Sequence, residues 1–348
     1  MIYRTPEYCR DFCCIADKCR DSCCKGWEID IDPDTAKYYN SVGGEFGKRL
    51  RDNIRDGCFV LTEDERCPFL NKKGLCDIYT ELGEDRLCRI CSDHPRYFEW
   101  FDGLKEGGTG LCCEAAAELI LSRPFTLSET DIPDEGAAGS YDEELFSLIF
   151  SARSHMLGIL GDESISPADA LCRILDIAAD VQESIDMPFP DTETKVSGSD
   201  LRCIFGCFAE LEPIDENWLP YIKDCTEHLD CLPAHNDSAD VYLRRIAQYL
   251  IFRYLLKSVY DGEILGYTKF AAVSIIIIGC LFRYSALKQP DLSLSDYAEI
   301  AKNYSKETEY CEENMEKLLE LFADEPFFSI SSLKAQLKEI LGGNVDNI

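Results

Sequence analysis

The stretch CCIADKCRDSCC, residues 13–24, decides how the chain is read. It places five thiols, Cys13, Cys14, Cys19, Cys23 and Cys24, within a run that has no apolar period. Outward from it come Cys9, Cys58, the segment CPFLNKKGLC (67–76), the segment LCRICSDHPR (87–96) and the GLCC pair (110–113). Thirteen of the twenty cysteines thus lie between Cys9 and Cys113. Cysteines two to four residues apart have metal-ligand spacing, because a short loop lets two thiolates point at one ion.

Other uses of cysteine fit less well. Disulfides belong to oxidising compartments and mostly to small domains. The start MIYRTPEYCRDFCC has no apolar leader and no cleavage site, so reduced thiols and a cytoplasmic location are expected. Inert buried thiols suit Cys172, Cys203, Cys207, Cys280 and Cys311, which stand alone in helical, apolar segments. All-thiolate sites suit zinc or iron–sulfur clusters. No C-x3-C-x2-C triple, ferredoxin run, H-E-x-x-H or EF-hand pattern occurs to choose between them. His94, three residues after Cys91, reads as a further ligand, a base or a surface histidine.

The expected fold is mainly α. Residues 1–124 read as a cysteine-rich metal-binding region of short, irregular α/β elements. IDIDPDTAKYY passes from strand into a helix opened by Pro33, and CFVLTEDERCPFL reads as strand–turn–strand. RYFEWFDGLKEGG reads as a hairpin and CCEAAAELILSR as a helix ended by Pro124. Residues 125–140, TLSETDIPDEGAAGSY, lack an apolar period and read as a linker. Residues 141–348 read as an all-helical bundle with a loop at 187–200. Its central helix holds Phe270–Phe282, an apolar run shorter than the roughly twenty residues of a membrane span, so no membrane insertion is expected. Without βαβ alternation or a G-x-G-x-x-G after a strand, a doubly wound nucleotide-binding fold is not expected. The EGGTG run at 106–110 reads as a hairpin loop or as a close approach to a phosphate or carboxylate.

Charge narrows the partners. The chain carries 35 Lys+Arg against 65 Asp+Glu, a net of −30. Such a field repels nucleic acid and anionic lipid and attracts cationic groups, lysine side chains included. On the helix at 241–260, Tyr242, Tyr249, Arg253, Lys257 and Tyr260 fall in one arc at 100° per residue. Arg253 and Lys257 cannot be buried there without partners, and Asp261 is a candidate for either.

The segments CIADKCRDSCCKGWEIDID, CPFLNKKGLCDIYTELGEDRLCRICSDHPRYFE and GLCCEAAAELIL, with QYLIFRYLLKSVYDGEI at 248–264, resemble the flagellin lysine-N-methylase (FliB-type) family. Its cysteine region is similar to the YkgJ-type zinc- or iron-chelating region. The resemblance implies N-methylation of flagellin lysines, S-adenosylmethionine as donor and an iron–sulfur cluster, 4Fe-4S, with zinc as the other or an additional ion. It also implies eight ligands, Cys14, Cys19, Cys23, Cys24, Cys67, Cys76, Cys91 and Cys113, with Cys88 a ninth candidate and Cys9, Cys13, Cys58 and Cys112 additional. Tyr249, Arg253 and Tyr260 are expected to hold the donor, Arg253 through its carboxylate. The alternative reading is a non-catalytic zinc- or iron-binding module with a helical protein-interaction domain.

Overall fold

A computed structural model describes residues 1–135, 139–185, 189 and 200–342. The chain begins in a strand, β1 (Ile2–Pro6). The cysteine-rich part follows with α1 (Pro33–Ser41), α2 (Gly44–Asp52), the two-stranded ribbon β2 (Ile54–Arg55) and β3 (Cys58–Phe59), then α3 (Asp77–Leu82) and α4 (Arg89–Asp93). Asp32 caps α1 by accepting from Thr35 N at 3.0 Å, with Pro33 in the first turn as the sequence indicates. The hairpin β4 (Arg96–Phe101) and β5 (Leu104–Thr109) comes next, then α5 (Glu114–Ser122) and β6 (Leu127–Asp131).

The four-stranded sheet runs β4–β5–β1–β6, with β1 parallel to β5 and antiparallel to β6. Two expectations are corrected here. Residues 127–131 were expected in a linker, yet they pair with β1 from Ile2↔Asp131 to Pro6↔Leu127. The reason is that β6 is a solvent-side edge strand, LSETD, which needs no apolar alternation. The turn at 62–66 exists, with Thr62 N donating to Arg66 O at 2.9 Å, but β3 pairs back to β2 rather than across that turn.

The helical part contains α6 (Glu143–Gly161), α7 (Pro167–Ser184), α8 (Asp200–Phe208), α9 (Trp218–Glu227), α10 (Asp240–Tyr254), α11 (Ser258–Asp261), α12 (Ile264–Lys288), α13 (Leu294–Glu309), α14 (Glu312–Asp324) and α15 (Ile330–Leu341). Side-chain caps from Asp142, Ser166, Ser293 and Ser329 start α6, α7, α13 and α15. Every residue of Phe270–Phe282 is buried, and α12 is the axis of the bundle. By length and composition α12 also passes for a membrane-crossing helix, but its apolar window lies wholly inside this protein. The loop expected at 187–200 lies, Phe189 and Asp200 apart, outside the described residues.

The packing does not divide at residue 124. Phe101, Leu104 and Leu111 of the hairpin and Ala117, Ile120 and Leu121 of α5 share one core with the bundle. A separate small core forms within the cysteine-rich part from Ile29, Ile31, Tyr39, Leu50, Phe59, Phe69 and Ile78. The sheet is fixed to the bundle by Arg153 of α6. Its guanidinium donates to both oxygens of Glu106 at 2.7 and 2.6 Å and to Phe252 O at 3.0 Å. The two side chains are 1% and 4% exposed, so neither charge has water in reach. Removing Arg153 leaves Glu106 only Arg4, 3.6 Å from its Oε1, and Arg153→Ala is therefore expected to cost about 3 kcal/mol in urea unfolding. Replacing the pair together by Met at 153 and Leu at 106 is expected to recover most of that loss.

Candidate metal centre

The thiols are arranged by short loops and helix starts rather than by regular structure. Cys76, Cys88 and Cys113 are the N-cap residues of α3, α4 and α5. Backbone amides are aimed at the sulfurs. Ala16 N donates to Cys14 Sγ at 3.4 Å. Amides of Asp21, Phe69, Cys91 and the pair Ala115 and Ala116 point at Cys19, Cys67, Cys88 and Cys113, and those of Ile78 and Tyr79 at Cys76. Amide donors on sulfur, and helix N-termini beside it, suit an anionic thiolate.

Two neighbourhoods of thiols result. Burial raises Cys19 to about 11, with Glu114 and Cys113 adding to the rise. Cys23 is raised by its bond to Cys24, by burial and then by Cys24, Cys14 and Cys113. Cys14, Cys19 and Cys23 therefore each lie within electrostatic range of Cys113. In the second group burial raises Cys67 to about 12, with Cys24, Cys76 and Cys88 as charged neighbours. Cys91 is raised by its bond to Cys88, by burial and then by Cys88, Cys24 and Cys67. Cys24 is lowered to about 7 by the hydrogen bond from Cys23, which also joins the two groups. Buried thiols at pKa 11–12 are neutral at pH 7 unless a metal holds them as thiolates. The donor set, four thiols in one group and five in the other, all amide-assisted or mutually coupled, fits zinc or an iron–sulfur cluster.

The remaining cysteines of this stretch have other partners. Cys58 donates to Asp30 Oδ1 at 3.0 Å on the surface. Cys9 sits 3.8 Å from Thr109 Oγ1. Cys13 opens on a surface groove with Ile15, Leu119 and Leu294. His94 lies 5.7 Å from the Trp27 ring and 6.4 Å from that of Tyr310, and burial lowers it to about 4, so its ring is neutral. Among the cysteines expected to be inert in the helical part, Cys172 and Cys280 are buried but Cys203 is exposed.

Ionic contacts tie the 13–24 loop to the bundle. Arg20 donates to Glu114 Oε1 at 2.9 Å and to Ser295 Oγ at 2.8 Å, and pairs with Glu299. Asp21 lies 3.5 Å from Lys302 Nζ and 3.0 Å from Lys306 Nζ, both on α13.

Beside Cys112 lies a buried hub that the sequence points to without its partners. Arg253 and Tyr249 of α10 reach the cysteine-bearing side of the sheet. Leu111 N donates to Tyr249 Oη at 3.1 Å, and Arg253 pulls the Cys112 thiol down against the burial that raises it to about 12. The Arg253 guanidinium is 11% exposed and stacks on Tyr97, Tyr254 and Tyr310 at 4.7, 5.0 and 5.1 Å. Glu309, with no exposed side-chain surface, accepts from Tyr249, Tyr254 and Arg253 at 2.7, 2.8 and 3.0 Å. Gly110 makes room, since a Cβ there would meet Tyr310 Oη at 2.0 Å.

Three expectations for this helix are corrected. Arg253 is committed to Glu309 and closed in by rings, so its fork is not open to a donor's carboxylate. Tyr260 does not join Tyr249 and Arg253. It is 47% exposed and packs on Phe101 and Tyr141 at 6.3 and 6.0 Å. The physical reason is that α10 ends at Tyr254 and continues as a 3-10 turn, Leu255–Lys257, which winds more per residue than the 100° assumed. Asp261 pairs with neither Lys257 nor Arg253. It accepts from Tyr267 Oη at 2.9 Å, and Lys257 pairs with Glu99 at 3.4 Å. Glu309 and Tyr310 escaped sequence reading because nothing in KETEY (306–310) marks a buried carboxylate.

Two expected outcomes follow for metal content, measured with sulfide on anaerobically purified protein. Cys113→Ser is expected to lower metal bound per chain, whereas Cys58→Ser leaves it unchanged. Chelation is expected to expose the amides of residues 13–94 to hydrogen exchange while the sheet and bundle keep their protection.

Residues 200–336 match the family described as the FliB lysine N-methylase C-terminal domain. The chain is 28% identical over 142 residues to "Lysine-N-methylase" of Salmonella choleraesuis (strain SC-B67), covering 36% of this chain and 35% of that protein. The same figures hold for "Lysine-N-methylase" of Salmonella typhimurium (strain LT2). It is 26% identical over 136 residues to "Flagellar biosynthetic protein FliU" of Salmonella muenchen, covering 35% of this chain and 79% of that one. The aligned stretch thus spans about a third of the two lysine methylases, and no solved structure matches. The cysteine stretch lies outside the matched domain, which runs from α8 into α15 and includes Arg253, Glu309 and Tyr310. Residues 200–336 are thus similar to the C-terminal domain of FliB-type lysine methylases.

Proposed function

We propose that the chain methylates lysine side chains of a flagellar protein, flagellin, with S-adenosylmethionine as donor and an iron–sulfur cluster held by the N-terminal thiols. The observation that carries the reading is the joint construction of its two parts. The domain matched to lysine methylases supplies Tyr249, which accepts from Leu111 N, and Arg253, whose charge acts on Cys112 next to Cys113. The same domain supplies α13, which holds the 13–24 loop through Glu299, Lys302 and Lys306.

Bound by Cys14, Cys19, Cys23 and Cys113, or by Cys24, Cys67, Cys76, Cys88 and Cys91, a cluster supplies a one-electron redox centre, and zinc a structural one. The chain's own contribution is definable. Amide donors offset part of the cost of burying the sulfurs as thiolates, which a bound metal would complete. The four-tyrosine wall around Arg253 excludes water behind Cys112. The acidic surface draws in a lysine-bearing partner, with a net charge of −30 to do so. Methyl transfer needs a neutral amine, and burial of the incoming lysine lowers its pKa toward that state. Tyr249, Arg253 and Tyr260 do not form a donor site as they stand, so no donor contact is assigned to them.

The test is anaerobic purification, followed by incubation with S-adenosylmethionine and flagellin and mass spectrometry of the lysine peptides. Methyl groups on flagellin lysines that disappear with Cys113→Ser are expected. Metal-replete protein that transfers no methyl group to any lysine overturns the reading. A colourless, zinc-only protein overturns the iron–sulfur assignment.

A further inference from the structure

The outer face of the sheet holds a lysine inside an aromatic cage. Strand pleating sends Trp100 and Lys105, cross-strand partners on β4 and β5, to one face. Tyr3, the β1 partner of Lys105, and Phe98 share that face, while Glu106 points the other way toward Arg153. Lys105 Nζ lies 4.8 Å from the Phe98 ring centroid, 5.0 Å from that of Trp100 and 5.8 Å from that of Tyr3. It donates to Glu135 Oε2 at 2.6 Å, and Trp100 Nε1 donates to the same oxygen at 3.3 Å. The Lys105 side chain is only 14% exposed. Gly107, cross-strand partner of Phe98, is required for this closure. A Cβ there would lie 2.8 Å from both Phe98 Cδ1 and Tyr3 Oη and would push the rings apart. The Gly-rich run thus has a role in the cage rather than at a phosphate.

A bare ammonium is a poor match to these surroundings. It has three N–H donors. One goes to Glu135, and the others face rings that accept weakly. Methyl groups in those two positions keep the charge, remove the need for hydration and present polarised C–H to the ring faces. The surroundings therefore suit a dimethylated ammonium that retains one N–H for Glu135.

We propose that Lys105 is a lysine the chain methylates on itself, and that Tyr3, Phe98, Trp100 and Glu135 form a cage that retains its dimethylated side chain. The proposal rests on the lysine-methylating activity above. In each transfer Nζ first loses a proton to water. Its lone pair then forms the N–C bond to the methyl of a sulfonium donor, whose S–C bond breaks with the pair left on sulfur as a neutral thioether. The second methyl repeats the step.

Two measurements decide it. The first is peptide mass spectrometry of the metal-replete protein incubated with S-adenosylmethionine and flagellin. Two methyl groups on Lys105 are expected. Methylated flagellin with an unmodified Lys105 overturns the self-methylation and leaves the activity standing, whereas transfer to neither sinks the activity as well. The second needs no turnover. The Lys105→Ala protein, with its fold checked by circular dichroism, is titrated calorimetrically with free N,N-dimethyl-lysine and with lysine. Binding of the dimethyl form about tenfold tighter, lost when Trp100→Ala is added, is expected. Equal affinity for the two, or no binding of either, overturns the cage.

Discussion

Glu309 has no exposed side-chain surface, so its charge must be answered from within the protein. Three donors from α10 meet one oxygen of this carboxylate, and the guanidinium among them is itself enclosed by rings. A buried pair of this kind adds little net stability over an apolar substitute, but losing either member is costly. Its consequence is geometric. α10, α13 and the turn after β5 hold a fixed relation, and that turn carries Cys112 and Cys113.

A second buried pair, Arg153 with Glu106, joins α6 to β5. Between them the two pairs set the sheet onto the bundle. The thiols are then presented from a rigid base on one side, α5 and the end of β5, and from irregular loops on the other. Those loops have their own small apolar core of residues 29–78. A metal shared by Cys113 on the rigid side and Cys14, Cys19 and Cys23 on the loop side would close the structure across that seam, as Arg20 and Asp21 do through charge.

The two faces of the sheet are put to different uses. The inner face carries Glu106 and Phe101 into the bundle. The outer face carries Tyr3, Phe98 and Trp100 around Lys105. Strand alternation alone makes the division, since neighbouring residues of one strand take opposite faces.

Much of this was written in the sequence. Cysteine spacing in 13–24, 67–76 and 87–91 marks thiol sites because loop length limits what two side chains can reach together. The apolar run Phe270–Phe282 marks the bundle axis because a helix apolar all round has to be buried. Pro33 marks a helix start because a first-turn residue needs no amide donor. Other features were settled only by tertiary structure. β6 is polar and becomes a strand because β1 offers it an edge. Tyr260 leaves the arc of Tyr249 and Arg253 because three residues of 3-10 winding, decided by packing, break the 100° rule. Glu309 becomes the partner of Arg253 across 56 residues of sequence. Contacts between distant segments depend on how elements dock, and local pattern carries no information about that.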